Sequence, residues 1–123
     1  MPKTKTPAQL AGTAAEAIRA LNHVTLNSKA LPYPPHVSET VQALVAMVDR
    51  LPQALQQISG AVRRHAEHGL IRMDDGTDPA KAAGEVSSYL ADAIDDVDKL
   101  SVSLHVAASV LFHMGTAEKA EVH

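Results

Sequence analysis

The amino-acid sequence predicts an all-α protein: two long helices form an antiparallel hairpin, and a shorter N-terminal helix completes a three-helix bundle protomer. Three observations support this prediction. Apolar residues recur at alternating spacings of three and four over most of the chain, the periodicity of helices with one apolar stripe. A capping residue followed by proline precedes two of these stretches. Alanine occurs 21 times and only three residues are aromatic, which favours closely packed helices over sheets.

The longest predicted helix spans residues 79–114. Asp78 is a typical N-cap, and Pro79 fits the first turn, where its missing N–H leaves no hydrogen bond unmade. Gly115 is expected to stop the helix. At 1.5 Å per residue the helix is roughly 54 Å long, so other helices must cover its apolar seam. That seam comprises Ala83, Val86, Leu90, Ala93, Val97, Leu100, Leu104, Ala107, Leu111 and Met114.

A second long helix is predicted over residues 36–68, with Gly69 as its C-terminal cap. Its seam comprises Val37, Val41, Leu44, Val48, Leu51, Leu55, Ile58 and Val62. Pro52 lies inside this seam, where it removes one hydrogen bond and crowds the carbonyl of Val48. Because the seam stays in phase across Pro52, we expect one kinked helix rather than two helices joined by a loop.

The remaining segments are shorter. Thr6 and Pro7 repeat the cap-plus-proline signal and begin a helix over residues 7–22. Residues 25–35 contain three prolines and should form an extended connector. We expect residues 1–5 to be a mobile tail and residues 116–123 a frayed one, which leaves a single helical domain over residues 6–115.

A connection of only eight or nine residues should hold the two long helices antiparallel. The apolar start of one then lies beside the apolar end of the other, and we call this end of the hairpin the base. A short first helix does not suffice to cover the base, and each fully exposed Leu or Val forgoes roughly 1.5–3 kcal/mol of burial. We therefore predict a two-fold homodimer, with a closed monomeric bundle as the alternative. The predicted interface residues are Val41, Val45, Met47, Val48, Val102, Val106, Val110 and Phe112.

Composition and charge weigh against several classes of function. The net charge of −3 provides no overall attraction to nucleic acid or anionic membranes. The absence of cysteine excludes disulfide and thiol chemistry. No apolar run has the length of a signal peptide core or of a transmembrane helix. We expect a cytoplasmic protein without membrane contact.

A basic cluster lies at the predicted turn end of the hairpin. Arg63, Arg64 and Arg72 are the candidate contacts to a partner or to nucleic acid, because arginines on helices bind phosphates well. The plainer alternative is that they pair with Glu85 across the hairpin, a surface interaction that contributes about 1 kcal/mol or less.

The histidines suggest two further hypotheses. His65 and His68 stand one turn apart and are the candidate metal ligands, but they lack the spacing of the zinc-protease motif. We expect no bound metal and no cofactor. His36, His105 and His113 should gather near the base, where protonation around pH 6 could alter an interface. The alternative is that each contacts water or a neighbouring backbone carbonyl.

No catalytic order of Ser, His and Asp and no glycine-rich phosphate loop is visible. We therefore interpret the chain as a non-enzymatic interaction protein, acting as an adaptor, scaffold or accessory regulator, that self-associates through its base. The polar turn end is the expected surface for an unidentified protein partner. The first alternative is a nucleic-acid-binding accessory protein that uses the basic cluster. The second is a bundle that binds a metal or small ligand.

Overall fold

The computed structural model describes residues 4–118, and within that range the chain is all-α. The helices are α1 (Pro7–Val24), α2 (Pro34–Val48), α3 (Leu51–Glu67) and α4 (Pro79–Phe112), with a single 3₁₀ turn at Ser28–Ala30 between α1 and α2. No strand occurs among these residues, so the predicted fold class is confirmed. None of the helices within residues 4–118 combines the length and the hydropathy that a membrane crossing needs.

The predicted N-terminal caps are present at two of the helices. At α1, Thr6 accepts a hydrogen bond from the backbone N–H of Gln9, and the Gln9 side chain accepts one from the N–H of Thr6. This reciprocal pair is a capping box. At α4, the carboxylate of Asp78 accepts a hydrogen bond from the backbone N–H of Lys81 at 3.1 Å. Local sequence therefore determines where both helices begin.

The segment predicted as one kinked helix is divided into α2 and α3 by Asp49 and Arg50. Pro52 is the physical reason, because it has no N–H to donate to the carbonyl of Val48 and the ladder of hydrogen bonds is interrupted there. Both intervening residues keep right-handed helical backbone angles. The N–H of Asp49 still bonds to Val45 at 2.9 Å. The two helices thus abut directly, without a loop.

Helix α3 ends as predicted, at Gly69. The N–H of Leu70 bonds to the carbonyl of His65 at 2.9 Å, and that of Gly69 bonds to Ala66 at 3.2 Å. Together with the positive φ of +66° at Gly69, these bonds form a Schellman motif. Helix α4 ends two residues before the predicted limit, since Met114 bonds to Leu111 in a tighter turn.

Helices α2 and α3 pack along α4 in the opposite chain direction. Three pairs of neighbours establish this direction: Ser38 with Leu111, Asp49 with Ser101, and Ser59 with Ser87. The core between them is thin. Its buried apolar residues are Val45, Val48 and Ala83.

Helix α1 contacts the other helices only sparsely. Its residues Ala17, Ile18 and Leu21 line a shallow cleft whose other wall includes Leu44 and Met47 of α2. The cover that α1 provides is therefore limited to one outer face of α2, and none of its residues is fully buried.

The left-handed cap at Gly69 should be visible in stability measurements. Gly69→Ala should lower the free energy of unfolding by roughly 1–2 kcal/mol, because a side chain disfavours positive φ, while no atom lies within 4 Å of the added Cβ. Gly84 is a matched control inside α4 that also has nothing within 4 Å. Gly84→Ala should raise the free energy of unfolding by roughly 0.5–1 kcal/mol. Denaturant titration measures both, and effects of the same sign would contradict the assignment.

Candidate interaction surface

Helix α4 packs on α2 and α3 through residues spaced by alternating steps of four and three. This inner row comprises Ala83, Ser87, Leu90, Ile94, Val97, Ser101, Leu104, Ala108 and Leu111, all buried or half-buried. Every second residue of the inner row also belongs to the predicted seam. At the remaining positions the inner row contains the residue that directly follows a seam residue, for example Ser87 instead of Val86. In a seven-residue repeat, the residues three and four positions after a shared residue lie on opposite sides of it. Both fit the repeat, so the spacing alone does not predict which of the two faces the neighbouring helices.

The seam residues that the inner row omits form a second row on α4. This outer row comprises Val86, Ala93, Leu100 and Ala107 on the helix, and Met114, which lies two residues beyond the C-terminal end of α4. Val86 is 40 % exposed, and Leu100 and Met114 are each 46 % exposed. Tyr89 and Val110 flank the row and are also exposed. Large apolar side chains therefore lie outside the protomer.

Serine occupies two of the nine inner-row positions, Ser87 and Ser101. Ser59 of α3 is half-buried and its Oγ lies 3.4 Å from Oγ of Ser87, whereas its neighbour Ile58 is 54 % exposed. At these positions serines lie between the helices while Ile58 and Leu100 are exposed, which departs from the usual distribution of polarity in a monomer.

The exposed surface of the chain is correspondingly large. It amounts to 9875 Å², whereas a compact monomer of this mass exposes about 6,300 Å² according to the general scaling of surface with mass. The excess of about 3,500 Å² is far beyond an ordinary surface patch. Part of this excess belongs to α1, which packs only sparsely, and part to the exposed apolar residues of α4.

The predicted interface residues differ in how much of each side chain is exposed in the structure. Val45 and Val48 are only 8 % and 4 % exposed and belong to the core of the protomer. They have almost no surface left for a second chain, because α2 packs on α4. Val41 and Met47 are half-buried. The α4 residues of the set are all exposed: Val102, Val106, Val110 and Phe112.

A polar bridge connects the break between α2 and α3 to the middle of α4. Asp49 accepts a hydrogen bond from Oγ of Ser101 at 2.6 Å through Oδ1, and its Oδ2 lies 2.8 Å from Nε2 of His105. The hydrogen bond from Ser101, followed by the one from His105, lowers the pKa of Asp49 below its ordinary value of 3.8. The bridge therefore favours a charged carboxylate at this position.

The bridge is not a catalytic triad. In a triad the histidine lies between the nucleophile and the carboxylate, whereas here Ser101 and His105 both contact Asp49. The sequence interpretation missed this cluster. Its signal is the spacing of Ser101 and His105, one turn apart on α4, opposite an Asp that directly precedes the break at Pro52.

The basic cluster is exposed and separate from the bridge. Within residues 4–118, no ion pair connects Arg63, Arg64 or Arg72 to Glu85, so the alternative pairing does not occur in the structure. Arg63 lines a shallow groove with residues that include Glu67, Ala80, Gly84 and Ser87.

The histidines have separate surroundings. His65 and His68 are exposed, and no group of three or more metal-binding side chains is found in the part of the chain that the structure describes. Near the base, the ring of His36 lies 5.9 Å from that of Tyr33, and the ring of His113 lies 5.6 Å from that of Phe112. His105 contacts Asp49 instead.

Removal of the Ser101 hydroxyl should raise the pKa of Asp49 towards 3.8, because the largest cause of its lowering is lost. We expect this in Ser101→Ala, measured by carboxyl-carbon NMR as a function of pH. Ser103→Ala, at an exposed serine of the same helix, is the matched control and should leave the pKa unchanged.

The same bridge has a predictable effect on acid stability. The pKa of Asp49 is lower in the folded chain, so its contribution to stability is present above pH 3.8 and is lost as the pH falls through the lowered value. Ser101→Ala should reduce this loss. Identical acid titrations and identical pKa values in both proteins would contradict the bridge.

Comparisons with known proteins assign no function, so a function has to be argued from the surface described above. The chain matches no protein-family model, no curated protein and no solved structure.

Proposed function

We propose that this chain is a non-enzymatic helical interaction protein of the cytoplasm, an adaptor, scaffold or accessory regulator, that self-associates through the exposed apolar surface of α4. The observation that carries the proposal is that two serines of α4 lie inside the hairpin while large apolar neighbours are exposed. Ser87 and Ser101 face the neighbouring helices, while Val86 and Leu100 face outwards.

The energetic argument follows from the exposed area. Burial of one fully exposed Val or Leu contributes roughly 1.5–3 kcal/mol, and several such side chains are exposed along α4. Helix α1 does not cover them, because it lies on the outer face of α2. A second chain is the simplest cover, since homo-oligomers are mostly two-fold dimers.

Binding rather than catalysis is supported by the chemistry of the polar groups. The hydroxyl of Ser101 donates to Asp49, a carboxylate whose lowered pKa makes it a weak base for activating a nucleophile. Asp49 and His105 are exposed to solvent, whereas general acid–base catalysis favours groups in dry surroundings. The basic cluster around Arg63 and Arg64 is then the surface offered to an unidentified protein partner.

Self-association should be measurable by sedimentation equilibrium. We expect a mass of twice 13.0 kDa at micromolar concentration, unchanged between low salt and 1 M NaCl, because burial of apolar surface is not screened by ions. A mass of 13.0 kDa at every concentration up to hundreds of micromolar would refute the proposal. Dissociation at high salt would indicate an interface held by charge instead.

The nucleic-acid alternative is separated from this proposal by fluorescence anisotropy with a labelled DNA duplex at low and high salt. We expect no binding at micromolar protein, because the chain carries a net charge of −3 and phosphate binding requires net cationic contact. Binding that weakens with salt, and that is lost in a variant with Arg63→Ala and Arg64→Ala, would favour the alternative.

A further inference from the structure

The exposed face of α4 has a pattern that is the same in both chain directions. The outer row has Leu100 at its centre, an alanine seven residues away on each side, and a larger apolar residue seven residues beyond each alanine. Three residues after each of the first four members stands a flanking residue, and these are Tyr89, Asp96, Ser103 and Val110. The flanking residues also read apolar, polar, polar, apolar. The outer row is thus palindromic about Leu100, and the flanking residues are palindromic about the midpoint between Lys99 and Leu100.

This symmetry is what a two-fold contact between antiparallel helices requires. In such a contact, residue i of one copy meets residue j of the other, and j meets i. We propose that two copies of α4 pack antiparallel across a two-fold axis at Leu100; this inference rests on the proposed self-association and specifies its geometry. Ala93 then meets Ala107 of the second copy, and Val86 lies beside the C-terminal end of the second α4, which Met114 follows.

Charge favours the antiparallel direction. In a parallel pair in register, Asp96 would lie beside Asp96 of the second copy, and two like charges at close range repel. In the antiparallel pair, the two Asp96 residues are about 12 Å apart along the axis, and each lies beside Ser103 of the other copy. A serine hydroxyl there can donate to the carboxylate.

Helix α3 adds apolar surface on the same side. Glu67 and Gly84 line one groove between α3 and α4. Ile58 lies about 180° around α3 from Glu67, and Leu100 lies about 160° around α4 from Gly84, at 100° per residue. Ile58 and Leu100 are therefore both on the side opposite the groove.

The exposed area of the chain as a whole, which includes the sparsely packed α1, is larger than this contact needs. An obligate homodimer buries about 1,000–2,500 Å² on each partner, and the chain exposes about 3,500 Å² more than a compact monomer. Ala93 and Ala107 are small, so the helix axes can approach to about 8 Å. Val102 and Val106 lie outside the contact, because Val102 is about 200° around the helix from Leu100.

Disulfide trapping tests the geometry, and the chain is suited to it because it contains no cysteine. Leu100→Cys places two thiols at the axis, and we expect most of this protein to become a linked dimer under mild oxidation. A double variant with Ala93→Cys and Ala107→Cys should also form linked dimers. The single variants Ala93→Cys and Ala107→Cys should stay unlinked. In the dimer each residue lies about 21 Å from the same residue of the second copy, beyond the reach of a disulfide.

Val102→Cys and Val106→Cys are the matched controls, exposed on the same helix but outside the contact, and they should stay unlinked. One outcome would overturn the geometry and leave self-association intact. In that outcome the protein has a dimeric mass, and disulfides form at these valines but neither at Leu100 nor in the double variant. A monomeric mass of the unmodified chain would overturn both proposals. Leu100 is 46 % exposed and the alanine changes add only a thiol, so circular dichroism should remain helical in every variant.

Discussion

Helix α4 carries more apolar surface than the hairpin can cover, and the rest of the structure follows from this constraint. A long helix with a seven-residue repeat has two apolar flanks beside its shared positions. The helices α2 and α3 pack against one flank, which contains Ser87 and Ser101, and leave Val86 and Leu100 outside. A thin core and a large exposed surface are the direct result.

The polar bridge favours the flank that lies inside. Pro52 interrupts the helix and leaves Asp49 in the turn, where its carboxylate reaches Ser101 and His105 of α4. A carboxylate that accepts two hydrogen bonds prefers to stay charged and partly hydrated, so it occupies the edge of the seam rather than its centre. One missing N–H in the backbone thereby helps determine the rotation of a helix 34 residues long.

Much of the fold could be predicted from the sequence because local chemistry determines it. Thr6, Asp78 and Gly69 mark helix ends through their own hydrogen bonds and backbone angles, and a short connection determines the antiparallel direction. The choice of seam could not be predicted in this way, since residues 86 and 87 both fit a seven-residue repeat beside Ala83 and Leu90. Hydrophobicity favours Val86 for the inside, but the structure places Ser87 there. For the same reason, Val45 and Val48 were assigned to a dimer interface although α4 already covers them.

Helix α1 illustrates the opposite situation, in which a segment owes little to its surroundings. Its capping box and its internal hydrogen bonds are contained within residues 6–25, and it contacts the remaining helices only sparsely. Most of the stability of a protein helix comes from tertiary packing, so we expect α1 to melt and re-form largely independently of α2, α3 and α4. Substitutions in α1 are therefore tolerated more readily by the rest of the domain, and this segment is the one most free to diverge among descendants of the same gene.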